Sequence, residues 1–188
     1  SLRRIAQLRA AREDLDVVSL RGNVDTRLRR LREHHDGVTA IVLARAGLDR
    51  LGRGEEATGA LDPERFVPAP GQGALALQGR AEDADARRAA AAIGEEQTLT
   101  CLLAERALAR ALGASCHTPL GAHARASGDG LRLRAWVGLP DGSEWIADEV
   151  RGAATEPDAL GALGAERLAA VGARELLSRA EEMAVAGA

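Results

Sequence analysis

The chain has 188 residues, 46% hydrophobic and 28% charged, with a formal net charge of −3; that is enough apolar content for one ordinary domain or two small ones. No apolar run reaches the length of a membrane span, no charged-then-apolar signal segment opens the sequence, and two cysteines make no disulfide framework, so a reducing cytosolic compartment is expected. All 25 basic residues are Arg, and from Ser1 to Arg53 there are 12 Arg against 7 acids, a local +5, while the remainder carries 13 against 21, a local −8. A basic first third points to an anionic ligand, although charge alone fits solvated helix faces equally well.

In chain order, Leu2 to Arg12 reads as a helix with Leu2, Ile5 and Leu8 on one face and Arg3, Arg4, Arg9 and Arg12 around it. Asp16 to Leu20 is a short strand candidate, and Arg21-Gly22-Asn23 forms a turn with Asn23 capping a helix from Val24, whose Val24, Leu28 and Leu31 face a core. Ala40 to Leu43 reads as a buried strand and Ala46 to Leu51 as a short helix, an order that indicates an α/β layer with parallel strands. Gly52 to Pro70 is a Gly- and Pro-rich loop, and Ala74 to Gln78 a strand entered through glycines. Helices follow at Asp83 to Ile93 and Glu95 to Leu112, separated at Gly94. Strands are expected at about Leu120 to Ala126, Leu131 to Leu139 and Ser143 to Arg151, joined by "SGDG" and "LPDG" turns, with helices at about Glu156 to Val171 and Ala173 to Ala184. That last part is an α+β unit with a three-stranded antiparallel sheet.

Two groups of residues carry chemistry. Cys116 lies in "LGASCHTPLGA", a run of small residues between a helix and a strand, and is open to reading as nucleophile, attachment point or loop bystander. Cys101 falls on a helical stripe with Ala104, Leu108 and Leu112, so it is a packing residue, and His34, His35, His117 and His123 show no zinc spacing with a cysteine pair. His117 directly follows Cys116, and adjacent side chains usually point apart, which weakens a Cys–His pair. The second group is arginines: Arg3, Arg4, Arg21, Arg27 and Arg50 sit at or near the ends of the α/β elements, where open sheets bind ligands. Guanidinium groups grip carboxylates bidentately and stay charged. With 2% aromatic residues, an acidic balance and no groove-binding motif, a small polycarboxylate fits better than nucleic acid.

Five stretches, "SLRR…QL", "SLRGNVDTRLRRL", "AIVLARAGLDRLG", "PAPGQGALAL" and "AERALARALGASCHTPLGA", occur in the order seen in the porphobilinogen deaminase (hydroxymethylbilane synthase) family, and the chain resembles that family nearly end to end. The resemblance implies a cytosolic transferase of tetrapyrrole (heme) biosynthesis that adds porphobilinogen units in succession, with loss of ammonia, to a dipyrromethane cofactor held by a cysteine thioether. By resemblance, Cys116 would be the attachment point, Ser1, Arg3 and Arg4 would hold cofactor carboxylates, Arg21, Arg27 and Arg50 would bind cofactor and substrate side chains, and Gln72 would line the cleft. No metal site, nucleic acid or membrane partner is implied, and the parent would be a monomer.

The resemblance also implies a preceding domain that carries the catalytic aspartate, so no catalytic residue is expected in this sequence and the chain alone is expected to be inactive. On that basis residues 1–70 would be part of a periplasmic-binding-protein-like α/β half, 71–93 a crossover strand and helix, and 94–188 the C-terminal α+β domain with the cofactor cysteine. The strand at 74–78 would then be an edge able to self-associate. Ala114 and Gln78 stand where the family usually has glycine and glutamate. Two rival readings remain open at this level: a non-enzymatic polycarboxylate-binding module, which gives Cys116 no job, and a Cys-dependent hydrolase using His117 or His123.

Overall fold

Alternation of apolar and polar residues after Pro119 produces three strands, β1 (Leu120–Ser127), β2 (Gly130–Gly138) and β3 (Trp145–Ala153). They pair antiparallel in the order β1-β2-β3, with Leu120 opposite Val137 and Leu133 opposite Val150. The computed structural model describes residues 1–115 and 117–186 of the chain. The helices are α1 (Leu2–Ala11), α2 (Val24–Arg32), α3 (Arg45–Arg50), α4 (Ala84–Ala92), α5 (Glu96–Ala111), α6 (Pro157–Ala170) and α7 (Ala173–Ala186). None of them is long and apolar enough to cross a membrane. The fold is thus a mixture of helices and strands with an open antiparallel sheet, as expected for the C-terminal part.

Two compact units are present: Ser1–Leu15 together with Pro63–Ala188, and Asp16–Asp62. In the first, one face of the sheet (Leu120, Ala122, Leu133, Ala135, Val137, Val150) packs with Leu108 of α5, Leu160 and Leu168 of α6 and Leu176 of α7 in a single core. Full burial of a leucine is worth about 1.5–3 kcal/mol, so this core is the main source of stability. In the β2–β3 turn the Asp141-Gly142 pair takes the positive φ expected, 80° at Gly142, whereas in the β1–β2 turn the positive φ of 63° falls on Gly128, ahead of the Asp129-Gly130 pair. Asp141 accepts the Ser143 N–H and hydroxyl at 3.0 and 2.7 Å, bonds that hold its carboxyl below the usual range.

The opposite face of the sheet is polar at one end and apolar at the other. Arg132 binds Glu149 at 3.1 Å and also pairs with Glu64, which takes Arg125 at 2.8 Å. Trp136 closes the apolar end in a small cluster with Ala6 of α1 and Val67. Here α1 departs from its expected orientation. Its buried residues are Arg3, Ala6 and Gln7, whereas Leu2, Ile5 and Leu8 are half-buried, because Arg3 and Gln7 satisfy a buried backbone segment described below.

In the second unit, Asn23 caps α2 by accepting the Thr26 N–H at 2.9 Å, and Leu28 is buried with Val24 and Leu31 half-buried. The strands expected at 16–20, 40–43 and 74–78 are not formed, and no strand pairs with them among the described residues. A strand exists only through ladder hydrogen bonds to a neighbour, so an apolar run by itself does not make one. Leu75 and Leu77 in the last of these stretches are 78% and 63% exposed.

Helices α5 and α6 meet at a glycine. A Cβ on Gly161 would lie 2.4 Å from the Ala104 carbonyl oxygen and 2.5 Å from the Ala107 Cβ. Gly161→Ala is therefore expected to destabilise the chain by about 1–3 kcal/mol, the usual cost of overpacking, as a lower urea midpoint with unchanged slope. Unaltered stability would mean that the two helices can separate freely.

Candidate functional site

The segment from Pro63 to Gly73 runs as a strap beside β1, and its backbone is bonded by side chains from two elements, α1 and α5. The Val67 carbonyl accepts Arg3 Nη1 at 2.5 Å and Gln7 Nε2 at 2.9 Å, and the Val67 N–H donates to Gln7 Oε1 at 2.6 Å. Val67 is buried and lies so close to Gly121 that a Cβ there would sit 2.8 Å from the Val67 oxygen. The second Arg3 nitrogen donates to Gln72 Oε1 at 3.0 Å, and the guanidinium stacks 5.8 Å from the Phe66 ring centroid. Burial first, and the neighbouring Arg4 charge second, lower the Arg3 pKa to about 10.

A residue that the sequence did not single out completes the strap. Glu105, buried on α5, accepts the Gly71 N–H at 2.6 Å through one carboxylate oxygen and the Ala124 N–H at 2.8 Å through the other. His123 Nδ1 lies 3.6 Å from the same carboxylate. Along the outer edge of β1, Ala122 donates to the Pro68 carbonyl at 2.9 Å and Ala124 to Glu105. Cys101 is the half-buried packing residue expected, with its thiol pushed up by burial and then by the Glu105 charge. The signal in the sequence was the spacing of Cys101 and Glu105 at i and i+4, which puts both on one face.

The loop between α5 and β1 has defined hydrogen bonds before and after Cys116, which itself lies outside the described residues. Gly113, with φ 71°, ends α5: its N–H donates to Arg110 O at 3.0 Å and the Ala114 N–H to Ala109 O at 2.9 Å. This is the double bond pattern of a glycine helix stop. Ser115 N–H donates to Thr118 Oγ1 at 2.8 Å, and Thr118 Oγ1 donates to Glu181 Oε1 of α7 at 2.8 Å. A Cβ at Gly113 would meet nothing within 4 Å, and Ser115 and His117 are exposed, so the outer side of the loop is open.

Of the expected ligand-binding residues, the structure brings Arg3 and Gln72 into contact. Ser1 precedes α1 without a side-chain cap bond, and Arg4 is half-buried on α1. Arg21, Arg27 and Arg50 belong to the unit Asp16–Asp62. Arg27 Nε donates to the Gly22 carbonyl at 2.7 Å, while Arg21 and Arg50 are exposed and their side chains have no hydrogen bond or ion pair among the described residues. No group of three or more His, Cys, Asp or Glu able to hold a metal ion occurs among the described residues.

Residues 1–88 match the family model "Porphobilinogen deaminase, dipyromethane cofactor binding domain", and residues 99–170 match "Porphobilinogen deaminase, C-terminal domain". The porphobilinogen deaminase of Methylobacillus flagellatus is 44% identical over 178 residues, 95% of this chain and 57% of that protein. That of Xanthomonas oryzae pv. oryzae is 46% identical over 178 residues, 95% and 58%, and that of Bordetella parapertussis 47% over 181 residues, 95% and 56%. The chain spans somewhat over half the length of these curated relatives.

The Glu105 cross-link is directly testable. Glu105→Ala leaves two backbone donors without their acceptor and should cost about 2–5 kcal/mol, with faster amide exchange at Gly71 and Ala124 than at Leu133. Glu105→Gln retains one acceptor oxygen and should fall between the two. Equal exchange at Gly71 in all three proteins would show that the carboxylate does not hold the strap.

Proposed function

The chain belongs to the porphobilinogen deaminase family, and from that premise we propose that it forms the cofactor-holding part of an enzyme that joins porphobilinogen units, with release of ammonia, into hydroxymethylbilane. The observation that carries this reading is the succession of the two family matches along one chain, with the "GASCHTPLG" loop inside the second. A dipyrromethane bound at Cys116 supplies the nucleophilic pyrrole from which the product grows.

The residues present suit such a group. Each pyrrole carries carboxylates, and Arg4, Arg21, Arg27 and Arg50 are half-buried or exposed cations able to bind them bidentately. Ser1 adds a hydroxyl donor to the same set. Arg3, only 5% exposed, donates to Gln72 at 3.0 Å, and the exposed Gln72 side chain is proposed to contact the pyrroles in its place. At Cys116 the thiolate is the attaching form, and a thioether, unlike a thioester, survives repeated turnover in water. Open space beside Gly113 leaves room for a pyrrole. The protein is proposed to work in the cytosol, on a small-molecule substrate, without nucleic acid or membrane.

In the full-length protein, Cys116→Ser should reduce porphobilinogen consumption and ammonia release to background, and Arg21→Ala or Arg27→Ala should lower kcat/KM about ten- to hundredfold, the worth of a charged hydrogen bond. A Cys116→Ser protein that turns over normally would refute the reading. If the chain were only a polycarboxylate-binding module, Cys116→Ser would leave ligand affinity unchanged and no ammonia would be released by either protein.

A further inference from the structure

We propose that Thr118 and Glu181 are positioning residues for cofactor attachment, with α7 acting as a brace on both sides of the loop that carries Cys116; this rests on the reading of Cys116 as the attachment point. Helix α7 reaches the loop twice. Arg174 Nη2 donates to the Ala111 carbonyl at 2.7 Å, satisfying a carbonyl at the α5 terminus that has no partner within the helix. Seven residues on, two helical turns along the same face, Glu181 Oε1 accepts from Thr118 Oγ1 at 2.8 Å. Leu176, Leu177 and Ala180 between these contacts, and Ala173 just before them, bury α7 in the core, so the brace is fixed to the core of the unit.

The Thr118 hydroxyl is saturated. Its one proton goes to Glu181, so its oxygen accepts from the Ser115 N–H at 2.8 Å and from the Ser115 hydroxyl at 3.2 Å. Ser115 Oγ in turn accepts the His117 N–H at 3.2 Å, and the Thr118 N–H donates to the Ser115 carbonyl at 3.2 Å. With Thr118 7% exposed and Pro119 and Leu120 buried behind it, and with Ala114 packed on the core ahead of it, the chain is tied down immediately before and after Cys116. A tether that presents a growing anionic chain to a fixed reaction point needs this, since a misplacement of about 1 Å can cost about a hundredfold in rate. Glu181 touches neither substrate nor the sulfur in this scheme; it acts through Thr118.

The test uses the full-length protein and two readouts: the fraction of purified protein carrying the pyrrole mass increment, and the iodoacetamide alkylation rate of Cys116 in unloaded protein, with Cys101 as an internal gauge of folding. Thr118→Val and Glu181→Ala should each lower the loaded fraction and raise the Cys116 rate by about three- to tenfold, whereas Thr118→Ser, which keeps the hydroxyl, should stay within about twofold of wild type. The double variant should be no worse than Thr118→Val alone, because Glu181→Ala removes only a bond that Thr118→Val already removes. Wild-type loading and Cys116 rate in Thr118→Val with an unchanged Cys101 rate, or additive effects in the double variant, would overturn the proposal. If Thr118→Val raises the Cys101 rate, Glu181→Ala decides, since Glu181 is exposed and its truncation opens no core. A wild-type protein without any pyrrole increment would refute the cofactor reading, and the Cys116 alkylation comparison would still judge the brace.

Discussion

The outer edge of β1 is the constraint on which the larger unit depends. A three-stranded sheet leaves two edges with unpaired backbone groups, and an exposed edge invites pairing with other chains. Here the outward N–H groups of Ala122 and Ala124 are met by the Pro68 carbonyl and the Glu105 carboxylate. A buried carboxylate is costly unless its lone pairs are engaged. Glu105 meets that condition by taking a second backbone donor, Gly71, at 2.6 Å. One side chain therefore closes the sheet edge and fixes the glycine-rich turn at the same time.

The strap transmits that constraint to α1. Val67 has both backbone groups bonded to Gln7, and Arg3 shares its carbonyl before reaching Gln72. At the other end of the sheet the β2–β3 turn approaches α1 so closely that a Cβ on Gly142 would lie 2.5 Å from the Ala10 nitrogen. Helix α1 thus joins the C-terminal unit through polar contacts that a hydrophobic helix face would not make. Gln72 is thus held by Arg3 of α1, while the loop that carries Cys116 is held by Glu181 and Arg174 of α7 together with its own Ser115–Thr118 bonds.

Much of this framework was legible in the sequence, and the parts that were not share a cause. The hairpins followed from their glycine-containing turn sequences, the α2 cap from Asn23, and the α5 stripe from Cys101, Ala104, Leu108 and Leu112, all local signals of a few residues. The orientation of α1 was not legible, because Arg3 and Gln7 are buried by a backbone segment some sixty residues away. For Glu105 the spacing from Cys101 marks the buried face, but the acid's role was not legible until its distant donors, Gly71 and Ala124, were known. Strands at 16–20, 40–43 and 74–78 were read from apolar runs alone, which carry no information about a partner. For the candidate site, the motif order pointed to Cys116 and the arginines, while the Thr118–Glu181 contact spans 63 residues and has no sequence signature.

The central claim is that Cys116, within this braced loop, is the covalent anchor of a pyrrole cofactor. Proteolytic peptide mapping by mass spectrometry of freshly expressed full-length protein tests it most directly. The prediction is a dipyrromethane increment on the peptide containing Cys116 and none on the peptide containing Cys101. An unmodified Cys116 peptide in protein that turns over porphobilinogen, or an increment located on any other residue, would contradict it.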